Sequence, residues 1–148
     1  CKRFHDETIE PILQNYGDKV LFVYRDYPIL GPDSVQAALA AACTYDQGAF
    51  WGFHDMLYAA PTALTRDNFI KFAQDLQINV DTFTQCYDNA EHQDLVTKDF
   101  NDGTAVGVGA TPTFFINGKL LLGAQPYDQF AARIEAELAA AESSAVAS

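Results

Sequence analysis

Residues 109–118 read Gly-Ala-Thr-Pro-Thr-Phe-Phe-Ile-Asn-Gly, and this stretch decides the fold. Thr113 to Ile116 is a short run of β-branched and aromatic residues, which is typical of a buried strand. Asn117-Gly118 readily adopts the positive backbone dihedrals of a two-residue hairpin turn, and Lys119 to Leu122 can form the return strand. The sequence therefore predicts a β-hairpin immediately after Pro112.

The bond between Thr111 and Pro112 is the second feature of this stretch. An X-Pro bond gives up most of the preference for the trans form, so a cis bond costs little here and holds the chain in a tight bend. Proline has no N–H, and such a bend exposes the backbone of the preceding residue, so we expect Thr111 to touch an extended substrate peptide. On this stretch alone, an ordinary edge hairpin after a trans proline is an equal alternative.

Cys1 opens a segment whose inward positions, Phe4, Thr8 and Ile12, recur at helical spacing, and Pro11 is predicted to kink that helix. Cys1 would then lie at a helix N-terminus. Unpaired N–H groups and the helix dipole stabilise a thiolate there, and the thiolate is the form of cysteine that attacks sulfur. The pattern makes Cys1 a candidate for redox chemistry.

The middle of the chain, about residues 34–106, predicts a helical insertion between two parts of a sheet. Val20 to Tyr24 is the predicted strand before it, and a last helix after Pro126 covers the sheet with one apolar face, fraying beyond about Glu142. Five helices are predicted in the insertion. They start after the capping pair Asp33-Ser34, near Phe50, after the cap Thr65, at Asp81 and near His92, the last running to Val106 with Gly103 interrupting it.

Taken together, these features resemble the DsbA-like branch of the thioredoxin superfamily. Cys1-Lys2-Arg3-Phe4-His5 looks like the second half of a C-P-x-C redox motif whose first half is absent. The resemblance covers almost the whole chain. Besides the N-terminal segment, it rests on three features: Val20 to Tyr24 leading to Arg25-Asp26-Tyr27-Pro28, the helical middle with Cys43, Trp51, His54 and Cys86, and the Thr111-Pro112 hairpin.

The resemblance implies an α/β, thioredoxin-like fold in which residues 1–148 form a single domain, with the insertion between a βαβ half and a ββα half. It implies a thiol:disulfide oxidoreductase acting on cysteine-containing proteins outside the cytoplasm, in the periplasm, cell envelope or medium. Cys1 matches the resolving cysteine, and Thr111 and Pro112 would hold substrate beside it. No bound cofactor is implied, and the implied redox partner is a membrane reoxidase of the DsbB or vitamin K epoxide reductase type.

A thioredoxin-like sheet also implies a central strand between Val20 to Tyr24 and Thr113 to Ile116, and no residues precede Cys1 to form it. The two remaining strands would flank a slot roughly 10 Å wide, with unpaired backbone groups on both sides. We therefore expect a chain truncated at its N-terminus, without the strand and the nucleophilic cysteine. The alternative is a partner chain that donates the strand, as in a strand-swapped homodimer.

Cys43 and Cys86 lie on apolar helix faces, where cysteines are often only small hydrophobic residues. The resemblance implies instead a structural disulfide between them. Closing this loop would stabilise the fold by about 4 kcal/mol in the chain-entropy model, and it would require an oxidising compartment.

Composition excludes other classes. The chain has 148 residues, 49% of them hydrophobic, which fits one globular domain, and its net charge of -11 is spread along the chain, which argues against a nucleic-acid partner. No apolar run approaches the length of a membrane span. No C-x-x-C or H-x-x-x-H pair is present to start a metal site, so none is expected.

Several polar residues carry open alternatives. His5 could lower the pKa of the Cys1 thiol, although a half-exposed helix position is the simpler interpretation, and His54 is expected to be packed rather than catalytic. Arg25-Asp26 is interpreted as a salt-bridged turn pair or as the border of the site.

Two other roles for a cysteine at position 1 are disfavoured. A lipid-bearing cysteine would be followed by a flexible tether, whereas here a core-forming helix follows at once. An amide-hydrolase cysteine would need a catalytic base, and none is evident. The alternative of a different class is a non-catalytic thioredoxin-like binding or structural domain, because one sulfur cannot complete a dithiol cycle.

Overall fold

The structure is a computed structural model and describes residues 1–146. These residues form helices, one short 3₁₀ turn at Tyr45–Gln47 and a two-stranded sheet. In chain order the elements are α1 Lys2–Glu7, α2 Ile9–Tyr16, α3 Pro32–Ala42, α4 Phe50–Ala59, α5 Arg66–Asp75, α6 Val80–Asp88, α7 Gln93–Ala105, β1 Thr113–Ile116, β2 Lys119–Leu122 and α8 Tyr127–Val146.

The chain divides into two compact units. The terminal unit consists of residues 1–23 together with the chain from residue 108 onward, and the helical unit consists of residues 24–107. The predicted insertion of about residues 34–106 lies within the helical unit. That the two units form a single domain stays a prediction.

The hairpin of the terminal unit forms as the sequence predicts. β1 and β2 pair in antiparallel fashion, with Thr113 opposite Leu122 and Ile116 opposite Lys119. Both turn residues have positive φ, 47° at Asn117 and 80° at Gly118, as a two-residue hairpin turn requires.

The core of the terminal unit is built around the ring of Phe4. Its centroid lies 4.5 Å from that of Phe114 on β1 and 5.1 Å from that of Phe130 on α8, and 6.4 Å from that of Phe22. Buried side chains from α2, β2 and α8 complete this cluster, namely Ile12, Tyr16, Leu121 and Ile134. The first helices and α8 therefore cover the same face of the hairpin.

The first helical segment is broken one turn before the proline that was predicted to kink it. The break lies at Thr8, whose φ is -123°, between α1 and α2. A helical proline cannot bond to the carbonyl four residues earlier and crowds it, and for Pro11 that carbonyl belongs to Glu7. The kink predicted at Pro11 thus occurs as a break at Thr8, three residues earlier.

The predicted strand Val20 to Tyr24 is wrong as a hydrogen-bonded strand. Within residues 1–146 the sheet contains β1 and β2 alone, and β1 pairs only with β2. The alternation of faces is nevertheless present, because Val20 and Phe22 pack on the core whereas Leu21 and Val23 are 89% and 63% exposed. A strand ladder needs a neighbouring backbone about 4.8 Å away, and no described segment supplies one. The structure therefore has the expected fold without its first central strand.

The helical unit packs α3 to α7 around three buried phenylalanines, Phe53, Phe69 and Phe83. A disulfide between Cys43, just after α3, and Cys86 on α6 joins two of these helices, with 5.8 Å between the Cα atoms. The predicted pairing is therefore confirmed.

Two of the predicted helix starts in this unit shift toward the N-terminus, α3 by three residues and α6 by one. α3 begins at Pro32, and the Ser34 hydroxyl donates to the Gly31 carbonyl instead of capping a later start, because proline suits the first helical turn. α6 begins at Val80, where the Asn79 side chain accepts from the Thr82 N–H.

The other predicted features of the helices have mixed outcomes. The Thr65 cap is confirmed, since its hydroxyl accepts from the Asn68 N–H. Gly103 lies inside α7 without interrupting it. The expected fraying beyond Glu142 is wrong as far as Val146, because α8 continues and the Ser143 hydroxyl donates to the Ala139 carbonyl. The last two positions of that prediction, 147 and 148, lie outside the described residues.

Candidate active site

Cys1 is the free cysteine of the chain, and it is exposed. It occupies the N-cap of α1, where its backbone carbonyl accepts from the His5 N–H at 2.9 Å and its side chain caps nothing. The other two cysteines are joined in the disulfide. Any thiol chemistry of residues 1–146 in the oxidised protein therefore belongs to Cys1.

The peptide bond between Thr111 and Pro112 is cis. The Pro112 carbonyl accepts from the Gly123 N–H at 2.9 Å, which ties this turn to the residue that follows β2. Thr111 itself forms no hydrogen bond with any residue in the range 1–146. Its backbone donor and acceptor are therefore available to a bound peptide.

Contacts within the terminal unit connect the start of α1 with this turn. Phe4, one helical turn after Cys1, packs on Phe114, two residues after Pro112. One residue before Phe4, the Arg3 guanidinium donates from Nη2 to the Ala124 carbonyl at 2.6 Å. The first turn of α1 thus packs on the segments that flank the proline. That the Cys1 sulfur lies beside Pro112 stays a prediction.

Arg3 and the Gly123-Ala124 pair were not predicted from the sequence to lie near the candidate site. Gly123 carried a usable signal, because a glycine directly after a strand often marks a backbone position with positive φ, and its φ is 77°. Arg3 carried no such signal, since an exposed arginine on a first helical turn is common on any soluble protein.

His5 and His54, weighed as candidate site residues, each lie beside an aspartate. Nδ1 of His5 is 2.9 Å from Oδ1 of Asp6, and Nδ1 of His54 is 3.1 Å from Oδ1 of Asp55. Hydrogen bonds from His5 and then Lys2 hold the pKa of Asp6 below its ordinary value. His54 is buried and its ring contacts those of other aromatic residues of the helical unit, Tyr24, Trp51 and Tyr58.

Arg25 and Asp26 do not form the turn pair that the sequence analysis considered. Arg25 binds two carboxylates of α7 instead, Asp99 at 2.5 Å through Nε and Asp102 at 2.6 Å through Nη2. Asp26 is only 3% exposed, and its backbone N–H donates to Oδ2 of Asp99 at 3.0 Å. Burial, and after it the charge of Asp99, raises the pKa of Asp26 to about 7.

Asp99 was missed by the sequence analysis although the helix pattern contained a signal. It follows Val96 by three positions on α7, and residues three apart share a helix face. Val96 is buried, so a carboxylate on its face needs partners inside the protein. Arg25 and the Asp26 N–H are those partners.

The disulfide is a structural feature rather than an exposed redox site, because both of its cysteines are buried. A ring nitrogen of His92 lies within 4.8 Å of both sulfurs, the kind of grouping that can hold a metal. Sulfur binds metals as a thiolate, which a disulfide does not offer. The oxidised protein therefore does not present this cluster as a metal site.

A free cysteine at the start of a helix, a cis-proline turn followed by a hairpin, and an inserted helical unit define a thioredoxin-fold protein of the DsbA-like type. Oxidised BdbD from Bacillus subtilis matches with a TM-score of 0.83 and 26% identity, over 93% of this chain and 80% of that one. The thiol-disulfide exchange protein alpha-DsbA2 from Wolbachia pipientis matches with a TM-score of 0.78 and 25% identity, over 91% and 73%. A thioredoxin family model matches residues 1–136, and the chain belongs to that family.

The curated relatives are much longer proteins. The chain is 33% identical to a Na(+)/H(+) antiporter NhaA of Herminiimonas arsenicoxydans over 82% of its own length, and 32% identical to a Na(+)/H(+) antiporter NhaA 3 of Salinispora tropica over 97%. It spans about a fifth of the length of these relatives, 20% and 21%. Among the helices within residues 1–146, none has the length and apolar character needed to cross a membrane.

Proposed function

We propose that this chain is a thiol:disulfide oxidoreductase domain that acts on cysteine-containing proteins outside the cytoplasm, with Cys1 as its exchanging sulfur. The observation that carries the proposal is the exposed, free Cys1 at the start of α1, in a chain with the fold of oxidised BdbD. The similarity to alpha-DsbA2, a thiol-disulfide exchange protein, supports the same chemistry.

The exchange step needs only the groups named. The Cys1 thiolate attacks one sulfur of a substrate disulfide and forms a new S–S bond to it, while the other substrate sulfur leaves as a thiolate and takes up a proton from water. This first attack consumes no external oxidant or reductant. A second thiol, from outside residues 1–146, then attacks the Cys1 sulfur of the mixed disulfide, so that a new disulfide to Cys1 forms, the substrate thiol leaves, and the second thiol is oxidised as the substrate is reduced. In the resembled family the cysteine at the position of Cys1 is the resolving one, which acts after a second cysteine; here Cys1 is proposed to make the first attack, because it is the free sulfur of residues 1–146.

Thr111 and Pro112 are proposed to hold the substrate backbone during this step. The support is that the N–H and C=O of Thr111 have no partner within residues 1–146, and that α1 packs on the strand just after Pro112. An extended peptide alongside Thr111 could pair with these groups as a neighbouring strand would.

A mixed-disulfide assay tests the proposal. The protein is incubated with glutathione disulfide and with a scrambled disulfide protein, and the adduct is located by mass spectrometry. We expect one adduct on Cys1, and none in Cys1→Ser. Failure of the wild-type chain to form the adduct, while a small alkylating reagent still modifies Cys1, would contradict the proposal.

A non-catalytic thioredoxin-like binding domain is the second candidate. The specific observation in its favour is that one free sulfur cannot by itself complete a dithiol cycle. The two candidates differ in Cys1→Ser. A binding domain retains its capture of unfolded cysteine-free peptides in this variant and shows no disulfide exchange in either form.

The partners and the compartment follow from the same proposal. The Cys43–Cys86 disulfide supports an oxidising compartment. Thiol–disulfide exchange is reversible, and when it runs toward oxidation of a substrate dithiol it leaves Cys1 and the second thiol reduced. A membrane reoxidase of the DsbB or vitamin K epoxide reductase type would then re-form the disulfide between them. Among residues 1–146 β1 pairs with β2 alone, and this open edge, together with the exposed Leu21 and Val23, supports a strand-swapped homodimer. Light scattering tests the dimer, and a mass that stays monomeric over all accessible concentrations would contradict it.

A further inference from the structure

Three side chains of the helical unit that can bind a metal come together at the disulfide. Cys43 directly follows α3, Cys86 lies on α6, and His92 is the N-cap of α7. One ring nitrogen of His92 and the two sulfurs lie within 4.8 Å of one another. Three separate helices bring these residues together, so no short sequence motif contains them. We refer to the three side chains as the sulfur–imidazole cluster.

A tight backbone turn holds His92 close to Cys86. After α6, Ala90 has a φ of 50°, which is uncommon for a residue with a Cβ. The Ala90 N–H donates to the Tyr87 carbonyl at 3.0 Å, and the Glu91 N–H donates to the Cys86 carbonyl, also at 3.0 Å. These two bonds close the end of α6 and turn the chain back toward it. The backbone, rather than a bond of its own side chain, therefore places His92 beside the disulfide.

The imidazole of His92 is not used by the fold. The residue is partly buried, and its ring forms no hydrogen bond, ion pair or ring contact with any of residues 1–146. Its side chain does not cap α7 either. The other two histidines, in contrast, each lie beside an aspartate. A ring nitrogen of His92 is therefore available to bind an added ion.

Reduction of the disulfide gives this cluster the ligands that zinc prefers. A disulfide offers no thiolate, whereas two reduced cysteines offer two. Zinc binds cysteine sulfur at about 2.3 Å and imidazole nitrogen at about 2.0–2.1 Å, so its tetrahedral ligand atoms lie about 3.5–3.8 Å apart. The three atoms of the cluster already lie within 4.8 Å of one another. Two thiolates also balance the charge of the ion, as burial of both cysteines requires.

We propose that reduction of the Cys43–Cys86 disulfide turns the sulfur–imidazole cluster into a zinc site, with two thiolates and a His92 nitrogen as ligands and water in the fourth position. The reductant is a dithiol, which passes two electrons to the disulfide and itself becomes a disulfide, while its two protons move to the two sulfurs. Zinc binding then releases these protons to water. Cys1 takes no part, so the inference is independent of the proposed function.

The helical unit thus has two alternative cross-links at the same place. In the oxidised protein the S–S bond joins Cys43 to α6. In the reduced protein zinc joins the same two segments and adds the start of α7. A ligand that binds the folded state alone stabilises that state. Zinc should therefore stabilise the reduced protein against unfolding, and it should have no such effect on the oxidised protein.

A cobalt(II) titration tests the inference, because the absorption of cobalt reports tetrahedral thiolate ligation. The full chain is used as Cys1→Ser, so that Cys43 and Cys86 are its two remaining cysteines, and it is reduced with a phosphine, which does not compete for the metal as a dithiol would. We expect one cobalt ion per chain, with thiolate charge-transfer bands and the intense d–d bands of a tetrahedral site. One equivalent of zinc should displace it, and the oxidised protein should show none of these bands.

Two substitutions at the start of α7 locate the third ligand. His92→Ala should weaken zinc binding by at least roughly tenfold, since even the loss of an outer-shell partner costs that much. It should leave the stability of the oxidised protein unchanged, because the His92 side chain caps nothing. Gln93→Ala is the matched control, because the Gln93 amide donates to the Thr97 hydroxyl at 3.0 Å and Gln93 is not part of the cluster. Its zinc affinity should equal that of the parent protein.

Unfolding of the reduced protein with and without zinc is the second readout. Zinc should raise the midpoint of thermal unfolding, or restore the helical circular dichroism if reduction alone unfolds the chain, and His92→Ala should diminish either effect. Octahedral cobalt bands, or equal metal binding by the oxidised and reduced proteins, would indicate an adventitious ion only and overturn the inference. An unchanged zinc affinity in His92→Ala, or a reduced protein that does not respond to zinc, would overturn it as well. All of these outcomes leave the proposed exchange at Cys1 untouched.

Discussion

Asp26 is a buried carboxyl whose neighbours in the fold could not be predicted from the sequence. Asp99, whose charge contributes to the raised pKa of Asp26, lies 73 positions away along the chain, and only the fold brings the two together. The pattern around Arg25-Asp26 favoured a local ion pair, but Arg25 has a long side chain that reaches α7 instead. The spacing of residues in the sequence does not show whether Arg25 pairs with the adjacent Asp26 or with carboxylates on a helix that is distant along the chain.

The raised pKa of Asp26 gives a pH dependence of stability with a definite sign. An unfolded aspartate ionises near pH 4, whereas folded Asp26 keeps its proton until about pH 7. Between these values the folded state binds the extra proton, so the free energy of unfolding falls as the pH rises, by up to roughly 4 kcal/mol. Urea denaturation at several pH values measures this. Asp26→Asn should flatten the decline between pH 4 and 7.

Other carboxylates act in a different pH window and do not obscure this test. Arg66 holds the pKa of Asp88 below its ordinary value, and Lys98 and then Arg25 do the same for Asp102. Their contributions are lost only as the pH falls below about 4. Asp33→Asn, at an exposed position, serves as control, and a decline between pH 4 and 7 that is unchanged in Asp26→Asn would contradict the assignment.

Gly118 provides a second test at the scale of one residue. Its φ of 80° is strained for any residue with a Cβ, although a Cβ there would meet no atom within 4 Å. Gly118→Ala should therefore lower the free energy of unfolding by about 1 kcal/mol through backbone strain alone. Gly109→Ala is the matched control, since a Cβ at Gly109 also meets open space and its φ is not in that region. Equal stability of the two variants, measured by thermal unfolding, would contradict this account.

At the scale of elements, the sequence predicted correctly those helix and strand features that depend on neighbouring residues alone. The Asn117-Gly118 turn and the apolar runs on both sides fixed the hairpin, and the Thr65 cap fixed the start of α5. Val20 to Tyr24 shows the limit of such signals. Alternation gives the two faces of an extended segment, but a strand exists only when a second backbone bonds to it, and the sequence of the segment does not contain that information.

The packing of α1 on the hairpin depends on Phe4. Its ring contacts those of Phe114 and Phe130, and it is buried. Phe4→Ala should lower the free energy of unfolding by about 3–5 kcal/mol, because the cavity removes both contacts and buried area, whereas Phe4→Leu should cost roughly 1–2 kcal/mol. Leu13→Ala, on the exposed side of α2, is the control and should change stability by less than about 1 kcal/mol. Chemical denaturation measures all three, and similar losses for Phe4→Ala and Leu13→Ala would be the contrary result.

At the scale of the whole molecule, the fold followed from the combined pattern rather than from any one motif. The family match over residues 1–136 agrees with a resemblance drawn from both ends and the middle of the chain. The disulfide belongs to this scale too. The spacing of Cys43 and Cys86 left two interpretations open, and only the resemblance implied their pairing, because bringing α3 and α6 together is a property of the assembled helices.

The disulfide makes a prediction that two thiol titrations check. The denatured but unreduced protein should show one reactive thiol, on Cys1, and the reduced protein should show all three cysteines. Reduction, or the double change Cys43→Ala and Cys86→Ala, should lower the free energy of unfolding by about 2–4 kcal/mol, because the open chain gains conformational entropy when it unfolds. Cys1→Ser removes the reactive thiol and should leave stability unchanged. Three reactive thiols before reduction would show that the bond is not formed, and the case for an oxidising compartment would lose its structural support.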